Sequence, residues 1–134
     1  MRTTTITIGE AEYPLCFSVR VLRSCTERYG TFAGIYKALA SENEVERLDE
    51  VLWVLEEMLR AGAKYARGNG QESPDPLSAE ALLDQCDLAD FVRFRGAITE
   101  TITAGSKPRV ETESKKKAAA ARVSWPWSGL SGTE

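Results

Sequence analysis

The sequence contains no histidine. That removes the commonest general base and metal ligand, and every Ser–His or Cys–His pair that would activate a nucleophile near neutral pH. The three cysteines, Cys16, Cys25 and Cys86, are an odd number without CxxC spacing. They suit reduced thiols packed as small hydrophobes better than a disulfide framework, and they make no zinc site of ordinary spacing. Cys16 falls in a strand-like segment, Cys25 and Cys86 in helical ones. Neither GxxxxGKS/T nor GxGxxG occurs. The nearest stretch, "GNGQES" at Gly68–Ser73, lacks both the lysine and the strand-to-helix setting of a phosphate loop. No apolar run approaches the roughly 20 residues needed to span a bilayer. The opening "MRTTTITIGE" has one arginine but no continuous apolar stretch, so it does not read as a secretory signal. This inventory predicts a non-enzymatic cytoplasmic protein with no catalytic residue, cofactor, metal or membrane partner.

What is present is an acidic body with a basic ending. Residues 1–105 carry 11 Lys+Arg against 17 Asp+Glu, and residues 106–134 carry 6 against 3, which together give the net −3 of the chain. An acidic body speaks against duplex nucleic acid as a partner, because phosphate contacts need clustered positive charge. The hydrophobic fraction, 43%, is globular rather than disordered. Length and composition predict one domain over residues 1–105, followed by a flexible basic tail over 106–134.

Alternation of β-branched residues in Thr3–Ile8, a turn at Gly9–Glu12 and a second alternation in Tyr13–Phe17 predict an N-terminal β-hairpin. Thr4, Ile6 and Ile8 share one face, as do Tyr13, Leu15 and Phe17. Pro14 has no N–H for a ladder bond, so its strand should be an edge. Ser18 is the expected N-cap of a helix through Tyr29 that stops at Gly30. A short helix over Thr31–Ala40 carries Phe32, Ile35, Tyr36 and Leu39. "SENE" at Ser41–Glu44 has the capping-box pattern and precedes the longest helix, Asn43–Ala66. Its core stripe is Leu48, Val51, Leu52, Leu55, Met58 and Leu59, opposite a charged face that includes Glu50, Glu56 and Glu57. After a Gly/Pro-rich loop at Arg67–Pro76, Ser78 opens a short helix with Leu82 and Leu83. A last helix from Asp87 to Gly105 contains Phe91, Val92, Phe94, Ile98 and Ile102. The predicted fold is α+β, mainly α: a hairpin packed on about five helices, with a disordered C-terminal tail.

Asp84, Asp87 and Asp90 recur in "DQCDLAD". On one continuous helix they would share a face and could hold a divalent cation. The alternative, preferred here, is that Asp87 caps a helix and Asp90 favours its N-terminal dipole. Phe32, Tyr36, Phe91 and Phe94 have core explanations at helical spacing. Trp53 lies beside the main stripe, as core or at the edge of a groove. Trp125 and Trp127 flank Pro126, which no regular helix crosses, and exposed tryptophans of this kind can anchor a partner. Trp53, Trp125 and Trp127 are therefore the partner-binding candidates.

The stretch "GEAEYPLCFSVRVLRSCTERYG", Gly9 to Gly30, resembles the tail assembly chaperones of long-tailed phages and prophages of the Gram-positive type. Gly9, Tyr13, Leu15, Phe17, Glu27, Tyr29 and Gly30 carry the likeness, which is best over residues 3–65 and extends to about residue 105. It marks Tyr13, Leu15, Phe17, Tyr29 and Gly30 as fold-defining. The resemblance implies a chaperone that coats the tape measure protein, keeps it soluble and helps recruit tail tube subunits in the host cytoplasm. It also implies absence from the mature virion. Many such genes yield a longer product by −1 frameshifting. Lys115, Lys116 and Lys117 could be encoded by a slippery adenine run, beyond which the longer product would contact the tail tube protein. Self-association through the hairpin edge is a further possibility. Two other functions stay open: a small phage-encoded adaptor or regulatory protein docking one target through its WPW tail, or a structural tail-completion protein retained in the particle.

Overall fold

Thr3–Ile8 forms β1 and Ala11–Cys16 forms β2, paired antiparallel with Ile6 opposite Tyr13 and Thr4 opposite Leu15. The two-residue turn places Gly9 at φ +64°, a conformation that costs a Cβ-free residue little. The structure, a computed structural model, describes residues 2–107. The expected tail with Lys115–Lys117, Trp125 and Trp127 lies outside the described residues.

A two-stranded hairpin is marginal alone. This one is covered on a single face. Ile6, Ile8, Tyr13, Leu15 and Phe17 are buried, whereas Thr3, Thr5, Thr7 and Glu12 face outward. Five helices follow: α1 (Val19–Tyr29), α2 (Ala33–Leu39), α3 (Glu44–Gly68), α4 (Ala79–Gln85) and α5 (Leu88–Ser106). Strand β2 lies on α3 and β1 on α5, so the hairpin bridges the two long helices. The remaining helices surround α3: α1 and α2 pack on it, and so does α4. The α+β, mainly helical fold expected from the sequence is the one observed.

Helix α3 is the axis of the core. Val51, Leu52, Val54, Leu55, Met58 and Leu59 are all within 3% of complete burial. Each large apolar side chain so buried contributes about 1.5–3 kcal/mol relative to exposure. From α5, Phe94, Ile98 and Ile102 complete the cluster, with Val21, Cys25, Ile35 and Leu82 from the shorter helices. Val54 belongs to this stripe although the sequence pattern omitted it.

The caps explain where the helices begin and end. The Ser18 hydroxyl accepts the Val21 amide at 3.3 Å, and Gly30, at φ +86°, closes α1 with its N–H on the Thr26 carbonyl. The start of α3 differs from the Ser41–Glu44 box expected from "SENE". Asn43 is the N-cap, and its Oδ1 accepts the Glu46 amide at 2.9 Å. Ser41 instead accepts the Asn43 amide and donates to Glu46 Oε1, because the chain before Asn43 is still turning. The capping box is found at α5. There Asp87 accepts the Asp90 amide, and Asp90 reaches back to the Asp87 amide.

Three expectations are corrected. Leu48, expected in the core stripe of α3, is 38% exposed, because the buried run of that helix begins only at Val51. Phe32 and Tyr36 are 42% and 41% exposed rather than core, because the roughly two turns of α2 aim only Ile35 and Leu39 inward. Their rings pack edge-on at 5.9 Å, and Phe32 also meets Phe17 at 6.1 Å. Cys86 is not helical. It is the extended residue that ends α4.

Candidate functional site

Helix α4 is seven residues long and carries two adjacent leucines. Neighbouring helical residues point about 100° apart, so a short helix lying on a core can bury only one of them fully. Leu82 is 1% exposed and Leu83 is 50% exposed. The same limit applies at the start of α5, where Phe94 is buried, Phe91 is half-buried, and Leu88 and Val92 stand 76% and 68% exposed. At the start of α3, Val45 and Leu48 are likewise exposed while Val51 and Leu52 are not.

Of these unburied apolar side chains, Leu48, Leu83, Leu88 and Phe91 gather at one place. A groove of about 410 Å³ opens between the first turns of α3, the end of α4 and the first turns of α5. Leu52, Leu82 and Phe94 form its floor, and Leu48, Leu83 and Leu88 form its walls. Glu44, Arg47 and Asp87 supply the charge at its rim. Cys86 lines it as well, half-buried. Burial pushes the Cys86 thiol pKa up, and the nearby Asp90 and Asp87 carboxylates add to the shift, so the field here is negative. What such a groove can do chemically is take apolar side chains from a partner segment, with its acidic rim favouring a basic flank.

The three aspartates of "DQCDLAD" do not share a helix face. Helix α4 ends at Gln85 and α5 begins at Leu88, which separates Asp84 from the other two. Asp87 and Asp90 are a capping pair, as the cap interpretation required, and Asp90 also accepts from Arg93 at 3.0 Å. The amide hydrogen bond from Asp87, followed by the Arg93 contact, holds the Asp90 carboxyl below its usual range. Among the described residues, no group of three or more ligating side chains is placed to hold a metal ion.

Trp53 lies one step round the helix from Leu52, on the side of α3 that meets α1 rather than in the groove. The Tyr29 ring meets it edge-on at 5.8 Å, and the Arg28 guanidinium sits 4.6 Å from its centroid. Arg28 in turn grips Glu50 in a fork, with Nε to Oε1 at 2.8 Å and Nη2 to Oε2 at 3.0 Å. The Tyr29 hydroxyl donates to Glu50 Oε1 at 2.5 Å. The Arg28 bond, and to a lesser degree the Tyr29 bond, hold the Glu50 carboxyl low, while burial and that same carboxylate push the Tyr29 phenol up. Tyr29 therefore fixes the end of α1 on α3, and Gly30 stops the helix directly after it. Tyr13, Leu15 and Phe17 are the buried face of β2 and the residue after it.

The charged face assigned to α3 is only partly solvated. Glu56 Oε1 accepts the Ala79 amide at 2.9 Å and so positions the start of α4, which forms one wall of the groove. Arg60 meets the other Glu56 oxygen. Sequence reasoning missed Leu48, Leu83 and Leu88 as a surface. The available signal was their count: they are apolar residues in excess of what the helix stripes can bury.

No protein-family model matches this chain, and no curated protein or solved structure is similar to it. Among the described residues, no helix is long and apolar enough to cross a membrane.

Proposed function

We propose that this chain is a non-enzymatic tail assembly chaperone of a long-tailed phage or prophage. It binds and solubilises the tape measure protein in the host cytoplasm and helps recruit tail tube subunits. It leaves before the virion matures. The observation that carries this reading is the apolar groove between α3, α4 and α5, with Leu83 and Leu88 exposed on its walls. A groove of this kind suits the apolar stripe of an amphipathic helix, engaged through side chains at i, i+3 or i+4 spacing. Many such weak contacts along one long chain would shield it cooperatively and still release it. The likeness over Gly9–Gly30 supports the same reading. Contact with the tail tube protein is assigned to a longer frameshifted product that diverges near Lys115–Lys117.

The test is co-expression with the long helical protein encoded beside it, followed by the mass of the purified complex. Several copies per long chain, with that chain insoluble alone, would support the chaperone. A one-to-one complex that depends on Trp125 and Trp127 would indicate an adaptor instead. Recovery of the chain from purified particles would indicate a tail-completion protein.

A further inference from the structure

The groove is acidic at its rim, and the chain that leaves α5 is basic. Glu44 and Asp87 line the groove against the single Arg47, and Asp84 is exposed beside it on α4. Beyond Ser106 the sequence carries Lys107, Arg109, Lys115, Lys116, Lys117 and Arg122 against Glu111, Glu113 and Glu134, and Arg122 stands three residues before Trp125. The groove lies at the N-terminal end of α5, and the described chain ends at Lys107, beyond the other end. The length of α5 separates the two, roughly 27 Å at the rise of an α-helix. The chain from Lys107 to Trp125 can span up to about 60 Å, so it reaches the groove with slack.

A second apolar patch competes for the same segment. Phe17, Phe32 and Tyr36 stack in series, and Gly105 near the end of α5 lies directly against Phe17. That patch is closer to where the chain emerges. However, its sequence neighbours Arg20 and Lys37 are exposed cations and would oppose a basic flank. The groove, in addition, is lined by side chains from three helices. Charge favours the groove.

We propose that Trp125 and Trp127 of the same chain occupy the α3–α4–α5 groove, with Arg122 and the lysines before it along the acidic rim. Pro126 between the tryptophans fixes one backbone dihedral, which lowers the ordering cost of seating both rings. The segment then acts as an internal competitor. A partner helix must displace it, and the apolar walls stay covered until one arrives. This competitor role rests on the docking function proposed for the groove; the contact itself does not.

Cys86 supplies the readout. It lines the groove half-buried, whereas Cys16 and Cys25 are fully buried, so it is the thiol a reagent reaches first. The experiment compares N-ethylmaleimide modification of Cys86 in the full chain and in the full-length Trp125→Ala/Trp127→Ala variant, resolved by peptide mass. The expected result is modification at least about tenfold faster in the variant, with Cys25 unchanged. Equal Cys86 rates overturn the proposal, and so does a matching acceleration at Cys25, which would report general loosening. A wild-type rate that rises on dilution also overturns it, because a second copy's tail would then be the occupant. An independent reading uses Trp53→Phe, which leaves Trp125 and Trp127 as the only indoles. Their emission should be blue-shifted in the folded chain and move red on Leu88→Glu. Emission already at the solvent-exposed wavelength before that change overturns the proposal. These measurements use the isolated chain, so their failure leaves the chaperone reading standing. Failure of the co-expression experiment likewise leaves the tail contact standing.

Discussion

Gly62 of α3 lies against the Pro14 carbonyl of β2, so closely that a Cβ built on Gly62 would overlap that oxygen and come within 2.9 Å of the Leu15 amide nitrogen. The contact is backbone on backbone, and no flexible side chain can yield. It is how β2 lies down on α3 and brings Tyr13, Leu15 and Phe17 to the core. Gly62→Ala gains helix propensity of about 1 kcal/mol but forces the strand away from the helix. The expected net effect is a loss of about 1–3 kcal/mol, as for overpacking elsewhere. Gly96, in the exposed face of α5, has nothing within 4 Å of the same added atom. Gly96→Ala should therefore stabilise by up to about 1 kcal/mol. Urea unfolding of the two variants checks both signs. A stabilised Gly62→Ala would mean that β2 does not sit on α3 as described.

The Arg28–Glu50 fork gives a pH dependence with a definite sign. Glu50 has a folded pKa below its ordinary value, because Arg28 and Tyr29 donate to its charged form. Such a group contributes stability that is fully present above its unfolded pKa, near 4.3, and is lost as pH falls through the lower folded value. Glu50→Gln should cost about 1–2 kcal/mol at pH 7, a value kept modest because Arg28 is 40% exposed and screened by solvent. The gap between wild type and variant should shrink as pH is lowered towards 3. Denaturation midpoints across that range test it, and a gap that widens on the acid side would contradict the assignment.

Much of this fold was legible in the sequence because its elements obey local rules. Period-two alternation gave the hairpin, and Gly9 and Gly30 marked a turn and a helix stop at positive φ. Most of the α3 stripe followed from its spacing, although Leu48 is exposed and Val54, outside the expected stripe, is buried. What could not be read was which of several equivalent local signals wins. "SENE" offers Ser41 and Asn43 as caps, and the choice depends on where the chain from α2 arrives. Phe32 and Tyr36 have helical spacing, but a short helix has one inward face, and tertiary contacts assign it to Ile35 and Leu39. The groove was less legible still. It is made by three helix ends brought together by long-range packing, and no single segment carries its pattern. The candidates the sequence offered, Trp53, Trp125 and Trp127, were chosen for their chemistry. Trp53 now lies under Arg28 against α1, and the other two are outside the described residues.

Thr101 is a buried polar residue inside an otherwise apolar seam between β1 and α5. Its hydroxyl donates to the Ala97 carbonyl at 2.7 Å, so its one proton is used. It must then accept from Thr4, whose Oγ1 is 2.6 Å away. Thr101→Val leaves the Thr4 hydroxyl without its acceptor and should cost about 1–2 kcal/mol. Replacing both residues by valine removes donor and acceptor together. The double variant should be closer to wild type than the sum of the single variants, a positive coupling of about 0.5 kcal/mol or more. Strict additivity would mean that the two hydroxyls do not interact.

Leu82 and Leu83 are adjacent in α4, and their substitution should separate stability from binding. Leu82 is 1% exposed on the groove floor, so Leu82→Ala should cost about 2–5 kcal/mol whatever the groove binds. Leu83 and Leu88 are 50% and 76% exposed, and they bury little more than their stems. In the Trp125→Ala/Trp127→Ala background, where the tail cannot contribute, Leu83→Glu and Leu88→Glu should change stability by no more than about 0.5 kcal/mol, since neither breaks a cap, a core contact or a hydrogen bond. On the proposed function the same two changes place carboxylates on the walls that receive a partner's apolar side chains. That costs desolvation and adds repulsion to an already acidic rim. Retention of the long helical partner in co-purification should then drop at least about tenfold, while the urea midpoint in that background stays put. Phe32→Ser, on the exposed aromatic patch of the other short helix, serves as the comparison. Loss of the partner with Phe32→Ser and full retention with the two leucine variants would move the docking site from the groove to that patch.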